Sequence, residues 1–233
     1  MKINKALVTG GSGMVGSAFK SLVPRAEFIT TEQFHNLSYD IKNKFVIHLA
    51  AKVGGVKANT EYPLTEEQLH LGPPHDSNFG YAYAKRMVDV MSRAYRQQYG
   101  CNFITAIPNN LYGENDNFDL ENSHVIPALI RKVWEAKVNK IDYIECWGDG
   151  KPLREFTYSS DIAKILMFLL ENYDAPEPIN IGNTEEYSIK EVVEIICELF
   201  GYDGDVFWKI DKPSGQYRKP SCNQKLLDLG WKK

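Results

Sequence analysis

Cysteine is scarce and unpatterned in this chain. Cys101, Cys146, Cys197 and Cys222 are far apart and show no CxxC spacing, which argues against a disulfide framework and a zinc site and points to a reducing compartment. Long apolar runs are missing too, none approaching the roughly 20 residues that a bilayer span requires. The opening stretch, MKINKALVTGG, enters a strand too soon to hold a secretory leader, so a cytoplasmic location is expected. Neither charge dominates. A net charge of −3 over 233 residues gives no electrostatic case for nucleic acid or an anionic membrane as partner. Internal repeats and low-complexity segments are also absent. What is left is an ordinary globular composition, 43% hydrophobic and 24% charged, long enough for one large core or one and a half.

Strand and helix patterns alternate along the first half. Lys5–Val8 is a short apolar strand, and a helical stretch follows to about Leu22, closed by Pro24. Glu27–Thr30 and Phe45–Ala50 read as strands, the second one buried and parallel. Tyr81–Tyr99 carries Ala84, Met87, Val88, Met91, Ala94 and Tyr95 at a helical period, and Phe103–Ile107 is the next strand. This alternation indicates an α/β fold with a mostly parallel sheet. Further on, His124–Lys137 looks helical, Tyr143–Trp147 extended, and Gly148–Gly150 a turn. Asp161–Asn172 is an apolar helix with Ser159 or Ser160 as its cap, and Pro178–Ile181 a strand. Ser188 with Glu191 forms a capping box ahead of an amphipathic helix.

The first strand runs into a glycine loop, Thr9-Gly-Gly-Ser-Gly-Met-Val-Gly16. Gly10, Gly13 and Gly16 permit a tight turn, a close backbone approach to phosphates, and close packing of helix on sheet. The helix N-terminus behind them, at Met14 and Val15, offers amide donors and partial positive charge to a pyrophosphate. The position about 20 residues on, which selects the adenosine, reads Ile29-Thr30-Thr31-Glu32. Glu32 suits the ribose hydroxyls of NAD, and Thr30 and Thr31 suit the 2′-phosphate of NADP. With no arginine there, the choice stays open.

Tyr81-Ala-Tyr-Ala-Lys85 places a phenol and an ammonium one turn apart on a helix face. The lysine charge would lower the phenol pKa and hold a nicotinamide ribose, making Tyr81 a proton donor to a carbonyl under reduction. A surface Tyr and Lys on an amphipathic helix is the plain alternative. Tyr83 points elsewhere on the helix.

Several longer stretches resemble the GDP-L-fucose synthase family of extended short-chain dehydrogenase/reductases. They are VTGGSGMVGSA, IHLAAKVGGVKAN, GPPHDSNFGYAYAKRMVDV, SRAYRQQYG, IPNNLYGENDNF, NSHVIPALIRK, WGDGKPLREF, INIGN and SGQYRK, and they run through nearly the whole chain. The resemblance implies a Rossmann-type domain over 1–113 with 155–183, and a smaller α+β substrate domain over 114–154 and 184–233. It implies NADP(H) as cofactor and the epimerisation, then reduction, of GDP-4-keto-6-deoxymannose. Carried over residue by residue, Tyr81 is the reductase acid with Lys85 as partner, and His124 is the acid/base of epimerisation. Gly10, Gly13, Met14, Val15, Gly16, Ala50, Ala51, Lys85 and Asn110 fall at cofactor positions, and Arg131, Lys132, Trp147, Arg154 and Lys219 at GDP-sugar positions. An imidazole suits proton movement beside a ketone, and a guanidinium suits a diphosphate. On residue type alone, His124 serves equally as a core or cap residue, and Trp147 as core.

The chain departs from that family in a crossover at Asn36–Lys44 too short for a full helix, in ending at Trp231-Lys-Lys233 short of the family's last helix, and above all in an internal deletion. In the family, the strand ending HLAA leads to a long helix, a further core strand and a Ser-Ser/Thr-Cys segment. Here Ala58-Asn59-Thr60 passes directly into Glu61-Tyr62-Pro63. The missing piece exceeds a βαβ unit of roughly 30 residues. It takes with it the catalytic serine and cysteine, which Ser77, Thr60 and Cys101 do not match. The expected sheet lacks one interior strand. Direct pairing of Phe45–Ala50 with Phe103–Ile107 would shift the Tyr-Lys helix by roughly 4.8 Å. The missing helix belongs to the family's usual dimer interface, which removes the ground for assuming its homodimer. Three functions follow: an impaired epimerase-reductase of this family, a non-catalytic nucleotide or nucleotide-sugar binding protein, or a related enzyme with another nucleotide-sugar. VGGVKAN and NSHVIPAL argue against the last.

Overall fold

In the computed structural model, residues 6–9, 12–29, 45–48, 62–74, 76, 79–212 and 215–232 are described. The chain forms two compact units. The first comprises 1–115, 157–183 and 221–233, and the second 116–156 and 184–220. Residues 221–233 therefore pack with the first unit, where the sequence reading had put them in the substrate domain.

Strand β1 (Ala6–Thr9) leads to helix α1 (Met14–Leu22), followed by β2 (Glu27–Ile29) and β3 (Phe45–His48). The three strands pair in parallel with β1 in the centre; Val8 lies opposite Phe28 on one side and Ile47 on the other. Helix α2 (Phe79–Tyr99) precedes β4 (Ala106–Pro108) and β5 (Asn110–Tyr112). The strand expected at Phe103–Ile107 thus starts later and ends at Pro108. Among the described residues β3 does not pair with β4, which is the partner of a later strand.

Helix α3 (Val125–Val138) opens the second unit's core and packs on β6 (Tyr143–Trp147). β7 (Leu153–Tyr158) runs out of that unit into helix α4 (Ser159–Asn172), whose N-cap is Tyr158 rather than either serine. β8 (Ile179–Ile181) pairs in parallel with β4, Ala106 opposite Ile179 and Pro108 opposite Ile181. β9 (Glu186–Ser188) pairs antiparallel with β7, Arg154 opposite Tyr187. Helix α5 (Ile189–Phe200) carries the expected capping box. Ser188 Oγ accepts from the Glu191 N–H at 3.1 Å, and Glu191 accepts from the Ser188 N–H at 2.7 Å. β10 (Asp205–Lys209) pairs in parallel with β6, and α6 (Gln224–Asp228) ends the described elements.

The first unit has two apolar clusters. In one, Val8, Phe19, Val23 and Ala26 meet Ala163 of α4, flanked by Leu166, Met167 and Leu170. Fully burying a side chain such as Phe19 contributes about 1.5–3 kcal/mol. The other joins Ile162, Ile165 and Leu169 of α4 to Ile179 and Ile181 of β8 and to Leu226. In the second unit, Ile126, Leu129, Val133 and Ala136 of α3 and Val192, Val193 and Ile196 of α5 are buried beside Ile144 and Cys146.

Helix α2 reverses the expected packing. Its buried residues are Ala82, Arg86 and Asp89, while Met87, Val88, Met91 and Tyr95 are exposed. The cause lies in the segment before it. A 3₁₀ turn at Glu66–His70 brings His70 Nε2 to 2.8 Å from Asp89 Oδ2, and Arg86 donates to the Leu71 and Gly72 carbonyls. Arg93 also bonds Asp89, at 2.9 Å. These charge-assisted bonds hold the polar face of α2 inward. The turn is capped by its own residues: in Thr65-Glu-Glu-Gln68 the Gln68 side chain accepts from the Thr65 N–H, as a capping box does.

Candidate active site

Gly13 is the N-cap of α1 in extended conformation (φ −78°, ψ 175°), and its carbonyl accepts the first helical bond from Ser17. Met14, Val15 and Gly16 form the first turn, and Gly16 is buried. No acidic side chain lies in that turn. The positive end of the helix dipole is therefore not neutralised locally, which fits a pyrophosphate. Gly10, Ala50, Ala51 and the Thr30–Glu32 stretch lie outside the described residues.

On α2, Lys85 Nζ sits over the Tyr81 ring, 5.5 Å from its centroid. Tyr81 is exposed and Lys85 half-buried. Burial pushes the Lys85 ammonium below the ordinary lysine range. Tyr83 occupies a different face, beside the Arg86 guanidinium. Asn110 opens β5, half-buried. The first unit thus brings Tyr81 and Lys85 together and carries Gly13–Gly16 and Asn110 as well.

The second unit carries the other predicted residues. His124 is the N-cap of α3 and exposed, and its imidazole does not cap the helix amides. Arg131 bonds Glu135 at 2.7 Å and the Phe118 carbonyl at 3.1 Å, while Lys132 donates to the Glu145 carbonyl at 3.0 Å. Both are engaged with neighbouring parts of their own unit. Trp147 ends β6 with 65% of its surface exposed, so it is not a core residue. Arg154 and Lys219 are drawn together beside the buried Glu155. Burial first, and then the Arg154 charge, hold Lys219 below the ordinary lysine range, with Glu155 opposing.

The described cysteines are free, and burial pushes the Cys146 thiol up to about 11, the opposite of an activated nucleophile. Among the described residues no cluster of three or more His, Cys, Asp and Glu could hold a metal ion.

Sequence reasoning passed over Asn109, Thr157 and Asn183, which join in hydrogen bonds at the ends of β4, β7 and β8. The available signal was the glycine of INIGN, immediately after an apolar strand.

A strand, a glycine-capped helix and a Tyr-Lys pair on a later helix define the dinucleotide-dependent oxidoreductases of the α/β class. The model of the NAD dependent epimerase/dehydratase family matches residues 60–182. The chain belongs to that family, and within it to the GDP-L-fucose synthase group. It is 36% identical to GDP-L-fucose synthase of Dictyostelium discoideum over 282 positions, covering 96% of this chain and 88% of that one. The Sinorhizobium fredii GDP-L-fucose synthase is 37% identical, with 97% and 89% covered. A GDP-L-fucose synthetase structure from Naegleria fowleri, bound to NADP, is 33% identical and superposes with a TM-score of 0.87 over 97% of this chain and 87% of that one. The 282 positions hold only 96% of a 233-residue chain, so more than fifty of them have no residue of this chain opposite.

Proposed function

We propose that this chain binds NADP(H) and a GDP-sugar and acts on GDP-4-keto-6-deoxymannose as an impaired epimerase-reductase. The observation that carries the reading is the Lys85 ammonium, partly desolvated, over the ring of Tyr81 on one face of α2. Bound NADPH supplies a hydride. Tyr81 gives its phenolic proton to the keto oxygen, and Lys85 holds positive charge beside the phenol as that proton leaves. His124 moves protons at the carbons flanking the ketone. Gly13 and the α1 N-terminus receive the pyrophosphate, and Arg154 with Lys219 receives the diphosphate of the GDP-sugar. The choice of NADP over NAD is supported by the NADP-bound Naegleria relative.

Impairment is supported by the absent segment. The serine and cysteine implied by the family resemblance have no match in this chain, so the ketone loses a hydrogen bond and His124 its partner. A second reading, nucleotide binding without turnover, is favoured by the same loss of more than fifty positions. One experiment separates the two. Purified full-length protein is incubated with NADPH and GDP-4-keto-6-deoxymannose, and NADPH oxidation and product are followed beside Tyr81→Phe. Slow, Tyr81-dependent oxidation supports the impaired enzyme. Binding of both ligands without oxidation supports the second reading, and GDP-fucose formed at an ordinary enzymatic rate rules out impairment.

A further inference from the structure

Asn109 is the only residue between β4 and β5, at the carboxyl end of a parallel strand, the edge where open α/β sheets take their ligands. Its N–H extends the β4–β8 ladder by one bond, to the Ile181 carbonyl at 3.3 Å. Its side chain closes a ring. The Thr157 hydroxyl donates to Asn109 Oδ1 at 2.7 Å and accepts from the Asn183 N–H at 2.7 Å. Asn109 Nδ2 completes the circuit by donating to the Asn183 carbonyl at 2.6 Å. Thr157, which makes two of the three bonds, is buried, and Asn109 and Asn183 are half-buried.

The ring demands this residue type. One end of the side chain must accept and the other donate, which an amide does and a carboxylate or an alkyl group does not. Room for it comes from Gly182, at φ +140°, where a Cβ would lie 2.5 Å from Asn109 Oδ1 and 2.7 Å from Nδ2. Pro108, just before, has no N–H with which to anchor the turn. The three bonds of the ring supply that anchorage.

We propose that Asn109 is a positioning residue: Thr157 and Asn183 hold its amide so that the β4–β5 turn presents Asn110 to the nicotinamide end of NADP(H). This inference rests on the NADP(H) reading above. In this role Asn109 acts through the turn it anchors. Its role is to fix orientation, where an error of about 1 Å costs on the order of 100-fold in rate.

Thr157→Val tests it by removing the donor to Asn109 and the acceptor for Asn183 at nearly constant shape. Asn109→Asp tests it by turning a second acceptor toward the Asn183 carbonyl. Thr157→Ser keeps the ring. Tyr173→Phe, which loses a hydrogen bond to the Glu177 carbonyl in the same unit, controls for general destabilisation. NADPH affinity by fluorescence titration, GDP affinity and melting temperature are measured on the full chain. The expected result is NADPH binding weakened about tenfold in Thr157→Val and Asn109→Asp. Thr157→Ser and Tyr173→Phe then stay near wild type, and GDP binding is unchanged throughout. Wild-type affinity for NADPH in both ring variants overturns the inference alone, as does an equal weakening in Tyr173→Phe. A wild-type chain that does not bind NADPH overturns the NADP(H) reading and this inference with it.

Discussion

Lys85 Nζ lies 5.5 Å from the centre of the Tyr81 ring, one turn further along α2. Under the proposed function, Tyr81→Phe keeps NADPH affinity and loses ketone reduction by at least about 100-fold. Lys85 has to be charged to assist, and burial lowers the pH at which it loses its proton. The alkaline fall in kcat/KM therefore begins below the ordinary lysine range, and in Lys85→Arg that limb moves to higher pH. A pH profile of both proteins checks this, and an unmoved limb would count against the role of Lys85.

Lys219 gives a second pH signature, in binding. Burial and Arg154 hold its pKa down, so it becomes neutral earlier than an ordinary lysine as pH rises. Affinity for GDP should fall through that range. Lys219→Arg stays charged, so the ratio of its affinity to that of wild type should climb as pH rises. Calorimetric titration of GDP across pH measures the ratio, and a flat ratio places Lys219 away from the diphosphate.

The capping box of α5 makes a stability prediction. Ser188→Ala should lower the melting temperature by about 2–4 °C at neutral pH. The hydrogen bonds from Ser188 hold the Glu191 carboxyl below its ordinary range. A depressed carboxylate stabilises fully above its unfolded pKa, and that contribution is lost as pH falls through the folded value. The gap between Ser188→Ala and wild type should hold above pH 5 and narrow in acid. Melting curves at a series of pH values test this.

The reversed packing of α2 predicts an inverted pattern of sensitivity. Met91→Lys alters an exposed apolar side chain and should change stability by less than about 0.5 kcal/mol. Asp89→Ala removes a fully buried carboxylate bonded to both His70 and Arg93, and should cost about 2 kcal/mol. Urea unfolding of the two variants distinguishes them, and the opposite order would mean that the apolar face is the buried one.

α2 also shows where sequence reasoning stops. Its length and period were legible, and so was the i, i+4 placement of Tyr81 and Lys85. The face it buries was not, because Arg86 and Asp89 are drawn inward by carbonyls and an imidazole from Glu66–Gly72, partners that no periodicity reveals. Local chemistry did better. Ser188 with Glu191, Gly13 ahead of Met14, and Pro24 after Leu22 each act within a few residues, and each stands where the sequence put it. Strands fared worse when their pairing was remote. β4 came out displaced from Phe103–Ile107, and β5, β9 and β10 gave no signal of their own. The triad of Asn109, Thr157 and Asn183 comes from three separate strand ends, and only folding assembles it.

The cluster that buries Phe19 joins residues far apart along the chain. Phe19 and Val23 wait for Ala163, Leu166 and Met167, 140 residues or more later in synthesis. At roughly 5–20 residues per second, the first strand and helix emerge from the ribosome about 7–30 s before α4 can cover them. During that interval the N-terminal apolar surface depends on chaperones or on non-native partners. A nascent chain stopped before residue 163 should therefore be captured or degraded rather than accumulate as a folded dinucleotide-binding half.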